Sequence, residues 1–354
     1  MFWIRADGNG RIGAGHLMRC VAVAEALARL ADKKNICFVC ADEESAALAE
    51  EHGFSAQVLG TDYRDMAEEL PAWAALAGGT AGGTEAEKNV ILVDSYQVTD
   101  AYLTALRQYG HVVLLEDFGT HVYPVDCVIN YNAPADPEQY ARLYQGQNTR
   151  LLIGGRYVPL RGQFLGRQGY PVKERVRNVL ITAGGGDSEN IAGKILERIL
   201  QKGICFHLVT GRFNPHFRTL KEWERTCDEI RIYHDVKDMA GLMLECDLAL
   251  TAGGSTVYEL AALGVPFICF SCAENQEALT TYIGEREIAG YAGAWHKDPE
   301  KMLDRMEKLF PQFGNCRNLR AVCREKAQAL IDGQGGARIA RELLRISTEE
   351  ELHG

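Results

Sequence analysis

RADGNGRIGAGHLMR, residues 5–19, limits how the rest of this chain can fold. It follows a short apolar run, FWI at residues 2–4. It leads into CVAVAEALARLA at residues 20–31, where apolar side chains recur at helical spacing. We therefore predict a strand, a glycine-rich turn and a helix that begins near residues 13–16. The free amides at the start of such a helix attract phosphate or a developing negative charge, so a functional site is expected here.

The turn contains residues suited to binding and catalysis. His16 falls in the first turn of the predicted helix, and Arg19 lies one turn further along the same face. Gly13 and Gly15 allow the backbone to turn tightly or to approach a ligand closely. We select His16 as a candidate catalytic residue, and Gly13, Gly15 and Arg19 as candidates for contact with a substrate.

Two other interpretations of this turn stay open. The spacing from Gly8 to Gly13 satisfies G-x-G-x-x-G, and Asp42 follows the next strand-like segment, as in dinucleotide-binding proteins. A histidine at a helix start can also act only as a cap. The dinucleotide motif, however, explains neither His16 nor the second half of the chain.

Length and composition indicate a two-domain globular protein. The chain has 354 residues, of which 47% are hydrophobic and 24% charged, so it can bury two sizeable cores. A net charge of −10 without a long basic run argues against a nucleic acid partner. Apolar runs are too short to span a bilayer, and a strand-like segment follows Met1 directly, where a signal peptide would lie. We expect a soluble, cytoplasmic protein without membrane insertion.

Cysteine spacing does not indicate a metal centre. The pairs Cys37–Cys40 and Cys269–Cys272 are both C-x-x-C, but each lies in a strand-like run. Residues three apart in a strand point to opposite faces, so neither pair can readily chelate one metal or form a disulfide. We predict reduced thiols and no metal site.

Strand-like and helix-like segments alternate along the chain, which predicts an α/β fold of two Rossmann-like α/β/α domains. We place an N-terminal domain at residues 1–165, a polar linker at 166–177 and a C-terminal domain at 178–335. A C-terminal helix and tail follow at 336–354. The Gly/Thr/Ala-rich segment at 77–88 is interpreted as a surface loop within the first domain.

Polar residues close several predicted strands of the first domain. Ligands of open α/β sheets bind at the carboxyl ends of the strands. Asp7, Tyr96, Asp117 and Asn132 all stand at such ends, and as a group they outline one crevice.

The second domain repeats the design of strand, glycine turn and helix. Its first turn contains Gly184 and Gly185, which we select as candidates for contact with a substrate. A later turn is formed by four residues that offer amides and two hydroxyls to a pyrophosphate without a metal, namely Gly253, Gly254, Ser255 and Thr256.

Residues near this later turn are suited to bind hydroxyl groups. Glu259 follows one helical turn further on, where its carboxylate can accept hydrogen bonds from ribose hydroxyls. Asn275 and Gln276 follow another strand and can hydrogen-bond a sugar. The alternative for this segment is an ordinary Ser/Thr helix cap with a glutamate in the first turn.

Together these motifs resemble the PseG family, the UDP-2,4-diacetamido-2,4,6-trideoxy-β-L-altropyranose hydrolases of pseudaminic acid biosynthesis. That family is related to the MurG glycosyltransferases. The resemblance covers nearly the whole chain and rests on GAGHLMR (13–19), VDSY (93–96), YVPLR (157–161), AGGGD (183–187), TAGGSTVYELAALGVP (251–266) and ENQ (274–276). It implies the GT-B architecture, in which two Rossmann-like domains face a central cleft. Family members carry an acid where this chain has Gln163, so no general acid or base is expected there.

The resemblance implies hydrolysis of a UDP-linked 2,4-diacetamido-2,4,6-trideoxy sugar at its anomeric carbon, within surface polysaccharide synthesis or flagellin glycosylation. His16 would accept a proton from the attacking water, and Tyr96 and Asp7 would orient the water or His16. Attack opposite UDP would invert the anomeric centre.

The remaining expectations concern partners and rival functions. The chain has no Asp-x-Asp motif to hold a divalent ion, so we expect a metal-independent reaction without a cofactor, and a monomer. One rival function is a MurG-like glycosyltransferase that passes the sugar to an acceptor. Another is a non-catalytic nucleotide-sugar-binding protein.

Overall fold

The computed structural model describes residues 1–78, 89–167, 171–212 and 214–348. Most of the predicted loop at 77–88, three residues of the predicted linker and the end of the tail therefore lie outside the described residues. The chain divides into two compact units, which are treated separately below. Unit 1 comprises Met1–Gly162 and Gln334–Gly354, and unit 2 comprises Gln163–Gly333.

Unit 1 contains a seven-stranded parallel sheet in the order β3-β2-β1-β4-β5-β6-β7. Its strands are β1 (Phe2–Ala6), β2 (Ile36–Cys40), β3 (Ser55–Val58), β4 (Val90–Asp94), β5 (His111–Leu115), β6 (Cys127–Asn130) and β7 (Arg150–Ile153). Its helices are α1 (Gly15–Leu27), α2 (Glu43–Glu51), α3 (Leu70–Gly78), α4 (Asp100–Leu106) and α5 (Pro137–Leu143). Every residue of β1, β2 and β4 is buried, as expected for parallel strands covered on both faces.

Unit 2 contains a six-stranded parallel sheet in the order β10-β9-β8-β11-β12-β13. Its strands are β8 (Asn178–Thr182), β9 (Cys205–Thr210), β10 (Ile230–His234), β11 (Leu248–Ala252), β12 (Phe267–Ser271) and β13 (Gly290–Ala294). Its helices are α6 (Ile191–Ile199), α7 (Phe217–Thr226), α8 (Met239–Glu245), α9 (Ser255–Leu263), α10 (Glu277–Glu285), α11 (Pro299–Asn315) and α12 (Arg317–Leu330).

The last helix, α13 (Gly335–Ser347), belongs to unit 1 and packs against α1. Its first residue lies so close to the backbone at Tyr157 and Val158 that an added Cβ on Gly335 would be 2.2 Å from the Val158 carbonyl oxygen. The helix can therefore pack in this position only because its first residue is glycine.

The predicted strand, glycine turn and helix at the N-terminus are confirmed as β1, a turn and α1. Helix α3 begins at Leu70, so Pro71 lies in its first turn, where a proline without an N–H is tolerated.

Each sheet has a point at which the strand order reverses. In unit 1, β2 lies on one side of β1 and β4 on the other, so the reversal falls between β1 and β4. In unit 2 it falls between β8 and β11. Crevices at the carboxyl ends of strands beside such a point are the usual ligand sites of open α/β sheets. Both candidate sites described below stand at these points.

The eleven cysteines are free thiols, and burial raises the pKa of Cys40 to about 12. Within the described residues, no group of three or more His, Cys, Asp or Glu side chains is arranged to hold a metal ion. None of the described helices combines the length and the apolar character needed to cross a membrane.

Candidate active site

The turn between β1 and α1 is built by Asn9. Its side-chain oxygen accepts hydrogen bonds from the amides of Arg11 (3.0 Å) and Ile12 (3.2 Å). Its backbone oxygen accepts one from Gly13 at 2.8 Å. Gly13 has a φ of +79°, a conformation that favours glycine. The turn is thus fixed before any ligand binds.

The same contacts contradict the dinucleotide interpretation. The amide of Gly8 donates to Ser45 Oγ at 3.0 Å, and that of Gly10 donates to Glu44 Oε1 at 3.2 Å. Because the amide of Gly13 is also bonded, all three glycines of G-x-G-x-x-G already have protein partners. In a dinucleotide site this turn must instead let a pyrophosphate approach its backbone.

Helix α1 begins immediately after this turn. Its N-cap, Ala14, makes no side-chain cap hydrogen bond, and an added Cβ on Gly15 would meet no heavy atom within 4 Å. The helix start therefore has free space beside His16, which lies in its first turn and is 18% exposed.

Asp94, the last residue of β4, is the partner of His16. Its register partner on β1 is Ala6, so its carboxylate lies beside the start of α1. Asp94 Oδ1 is 2.7 Å from His16 Nδ1. Arg19 binds the same carboxylate through two contacts, from Nε to Oδ2 at 2.5 Å and from Nη2 to Oδ1 at 2.6 Å.

The charge state of Asp94 follows from these contacts. Burial alone would raise the pKa of Asp94, but the Arg19 charge, its hydrogen bonds and the His16 contact outweigh burial. They hold this pKa well below its usual range. Asp94 is therefore a carboxylate and can only accept hydrogen bonds.

This assignment fixes the tautomer of His16. Nδ1 is also 3.3 Å from Arg19 Nη2, a donor, but the 2.7 Å contact with Asp94 is shorter and requires a proton on Nδ1. In a neutral imidazole the proton-free nitrogen is then Nε2. Within the described residues Nε2 makes no hydrogen bond, so it can accept a proton from a reacting water.

A second carboxylate, Asp117, connects three side chains. It lies 3.0 Å from Arg19 Nη1 through both oxygens and accepts a hydrogen bond from Asn132 Nδ2 at 2.9 Å. The Tyr96 hydroxyl donates to its Oδ2 at 2.7 Å. Partial burial and the nearby Asp117 charge raise the pKa of Tyr96, so this hydroxyl stays protonated. The Tyr96 ring meets the His16 ring edge-on, with centroids 4.5 Å apart.

The structure gives two predicted site residues different neighbours from those expected. Asp7, selected to orient water or His16, accepts from Arg5 Nη1 at 2.6 Å and from the Ala41 amide at 2.7 Å, and it is buried. It thus anchors the end of β1, and Asp94 is the residue that orients His16. Arg19, selected for substrate contact, is committed to positioning Asp94 and Asp117.

Asp94 was not selected from the sequence, although a signal exists. It is an acidic residue that directly ends the apolar run VILV, and it is almost fully buried. A buried carboxylate needs a charged or hydrogen-bonding partner, and the basic residues after β1 are the natural ones.

In unit 2, the predicted pyrophosphate turn leads into α9 as expected. Its N-cap is Gly254, without a side-chain cap hydrogen bond, and Ser255 is exposed. The alternative of an ordinary Ser/Thr cap is therefore wrong. An added Cβ on Gly253 would lie 2.3 Å from Thr280 Cγ2, whereas one on Gly254 would meet nothing within 4 Å. Close packing against Thr280 therefore requires a glycine at position 253. At Gly254 there is free space beside the start of the helix.

The other predicted contacts of unit 2 lie around this helix. Thr256 is partly exposed in its first turn, and Glu259 is buried one turn further on. Asn275 is exposed in the turn Glu274–Gln276. The Gln276 side-chain oxygen accepts from the Cys272 amide at 2.8 Å, so this oxygen helps to shape the loop.

The glycine turn after β8 differs from the one before α9. Gly184 has a φ of +90° and is exposed, as is Gly185. The Asp187 carboxylate accepts from the amides of Ile191 (2.7 Å) and Ala192 (3.1 Å). The Asp187 carboxylate therefore already caps the start of α6. The start of α9 has no side-chain cap.

The chain is similar in sequence to one described protein family and to proteins of two bacteria. A protein family described as "Protein of unknown function (DUF354)" matches residues 181–287. The spore coat polysaccharide biosynthesis protein SpsG of Bacillus subtilis is 26% identical over 361 aligned positions, covering 98% of each chain. The UDP-2,4-diacetamido-2,4,6-trideoxy-β-L-altropyranose hydrolase of Campylobacter jejuni is 23% identical, covering 80% of this chain and 95% of the hydrolase.

Among solved structures, MurG of Acinetobacter baumannii aligns with a TM-score of 0.62 at 15% identity, covering 97% of this chain and 99% of MurG. This likeness and the two parallel sheets show that the chain has the GT-B fold, as the sequence resemblance implied.

Proposed function

We propose that this protein hydrolyses a UDP-linked 2,4-diacetamido-2,4,6-trideoxy sugar at its anomeric carbon, releasing UDP and the free sugar. Similarity to the Campylobacter jejuni hydrolase supports a function on nucleotide sugars, and similarity to SpsG supports a place in polysaccharide synthesis. One observation within the site supports activation of a hydroxyl nucleophile, which in hydrolysis is water. His16 is held by an ionised, buried Asp94 in the tautomer that leaves Nε2 as a base.

The reaction can be written from these groups. His16 Nε2 accepts a proton from water as the water oxygen attacks the anomeric carbon. Asp94 stabilises the imidazolium that forms, as the aspartate of a catalytic triad does. The bond from the anomeric carbon to the UDP oxygen breaks, UDP leaves with the electron pair, and the imidazolium later returns its proton to solvent. Attack opposite the leaving group inverts the anomeric centre.

We assign the UDP moiety to the start of α9. The uncapped amides there, with the Ser255 and Thr256 hydroxyls, would receive the pyrophosphate and stabilise the charge that grows on it as it leaves. Glu259 would bind the ribose. The space beside Gly254 gives the phosphates access to the backbone. No step of this mechanism requires a metal ion, so activity should persist in EDTA.

The test is UDP release from UDP-2,4-diacetamido-2,4,6-trideoxy-β-L-altropyranose in ¹⁸O-labelled water with EDTA present. Wild type should free UDP and place the label on the anomeric carbon, and His16→Asn should be nearly inactive. The matched control is His121→Asn, because His121 is an exposed histidine of unit 1 that also pairs with an aspartate, Asp100, at 2.9 Å. This control should retain full activity.

Three results would count against the proposal. Label on the phosphate of UDP would mean that water attacks phosphorus and that the P–O bond breaks in place of the anomeric C–O bond. Release only after addition of an acceptor sugar would indicate a glycosyltransferase. Binding of UDP without release under any of these conditions would indicate a binding protein.

A further inference from the structure

Two exposed aromatic rings stand next to His16. Phe118 is 57% exposed and Tyr96 is 48% exposed, which places both among the most exposed large hydrophobic side chains of the described residues. Their ring centroids are 5.4 Å apart, and Tyr96 in turn contacts the His16 ring. The two rings form a continuous carbon surface, here called the aromatic platform, which begins at the proposed catalytic base.

The loop that carries Phe118 is firmly held. The carboxylate of Glu116 accepts from the amides of Phe118 (2.7 Å) and Gly119 (3.0 Å), and it also receives the Tyr140 hydroxyl. Gly119 has a φ of +66° and packs against the Tyr140 ring, where an added Cβ would lie 2.9 Å from ring atoms. The exposure of Phe118 is therefore imposed by a structured loop.

Tyr96 is held from the other side. Its hydroxyl donates to Asp117, which Arg19 and Asn132 also bind. The polar atom of Tyr96 is thus already engaged, and the ring offers carbon to a ligand. Holding two large aromatic surfaces in water beside a reactive nitrogen is typical of a binding site.

We propose that the aromatic platform binds a methyl-bearing part of the substrate sugar and so selects methyl-substituted sugars over fully hydroxylated ones. The proposal rests on the proposed function in taking a nucleotide sugar as the ligand. A hydroxyl placed against these rings would lose its hydrogen bonds to water, whereas a methyl group loses none. The proposed substrate offers two kinds of methyl, one on C6 and others on its acetamido groups.

Binding measurements separate these sources. Dissociation constants are measured by calorimetry in a His16→Asn background, which prevents turnover, with and without Phe118→Ala. The probes are UDP, UDP-glucose, UDP-6-deoxyglucose and UDP-N-acetylglucosamine. We expect Phe118→Ala to weaken at least one methyl-bearing probe by about 10-fold, the usual effect of one methyl group in an apolar site. Binding of UDP and UDP-glucose should stay unchanged.

Each arm has a defined meaning. Loss confined to UDP-6-deoxyglucose places the C6 methyl on the platform, and loss confined to UDP-N-acetylglucosamine places an acetamido methyl there. Equal effects on all four probes, or none on any, would overturn the proposal.

Two controls accompany the experiment. Val322→Ala, which removes an exposed apolar side chain from α12 in unit 2, should change no affinity. Phe118→Leu, which keeps an apolar side chain, should restore part of the lost binding. Because the assay measures binding, its result stands even if the wild type fails to release UDP in the hydrolysis test.

Discussion

Asp94 links two candidate site residues of α1, because His16 and Arg19 both bind its carboxylate. The residue is almost completely buried, so its charge is stabilised by these partners and not by water. The same carboxylate therefore has a structural role and sets the tautomer of His16. These two roles predict different effects when Asp94 is changed, on stability and on catalysis.

The Asp94→Asn variant should lose most of its activity. An asparagine side chain has a neutral oxygen and a donor nitrogen, so it no longer fixes the proton on His16 Nδ1 or stabilises the imidazolium. We expect kcat for UDP release to fall by about 10⁴-fold, as for the equivalent change in a catalytic triad. Asp126→Asn is the control, because Asp126 accepts from the Val112 amide at the opposite end of the sheet. A folded Asp94→Asn variant within 10-fold of wild type would contradict the role given to this residue.

Tyr96→Phe tests the hydroxyl without removing the ring. The variant keeps the edge contact with His16 but loses the hydrogen bond to Asp117. The hydroxyl donates its hydrogen to Asp117, but its oxygen can still accept a hydrogen bond from the attacking water, so we expect kcat to fall by about 10-fold with little change in melting temperature. Tyr102→Phe is the reciprocal control, since the buried Tyr102 hydroxyl binds Glu69 at 2.8 Å and should affect stability only. An unchanged kcat in Tyr96→Phe would leave the ring as the only contribution of this residue.

Among the elements, α9 offers a test in which stability and binding change in opposite directions. Ser255 is exposed at the start of this uncapped helix. A Ser255→Asp carboxylate would interact favourably with the helix dipole and stabilise the protein by about 0.3–1 kcal/mol. It would also occupy and repel the proposed phosphate site, so the affinity for UDP should fall by more than about 10-fold. Calorimetry measures the affinity for UDP, and thermal melting measures the stability. Ser255→Asn is the uncharged control. UDP binding unaffected by the new charge would exclude this helix as the phosphate site.

The elements themselves could largely be predicted from sequence, because their signals are local. Apolar runs and glycines gave β1, α1 and the start of α9, and the structure confirms them. The pairing of His16 with Asp94 spans 78 positions and depends on β4 lying next to β1. Strand order is set by tertiary packing, which residue spacing along the chain does not encode. Asp7 was selected because it stands at the carboxyl end of a strand, but its carboxylate binds Arg5 and the Ala41 amide.

For the whole molecule, Asp94 should contribute to the dependence of stability on pH. Its pKa is lower in the folded than in the unfolded chain, so its stabilising effect is present above the unfolded pKa of about 4 and is lost as the pH falls below it. The difference in unfolding free energy between wild type and Asp94→Asn should shrink by about 1.4 kcal/mol per pH unit below that point. Urea unfolding between pH 6 and pH 3 measures it, and a constant difference would contradict the low folded pKa.

The division into two units predicts that ligand and mutation can act on different parts of the chain. UDP, assigned to α9, should stabilise unit 2 by about 2.7 kcal/mol when its concentration is 100 times its dissociation constant.

Gly335→Ala should destabilise unit 1 by about 1–3 kcal/mol, because the added Cβ meets the backbone at Val158 and α13 cannot pack beside α1 unchanged. Hydrogen exchange read by mass spectrometry follows peptides of each unit separately. UDP should slow hydrogen exchange of residues 251–264 in the wild type and in the Gly335→Ala variant alike. The variant should show faster exchange in α1, with or without UDP. If UDP protected only the turn at residues 8–16, the phosphate site would have to be moved to the start of α1.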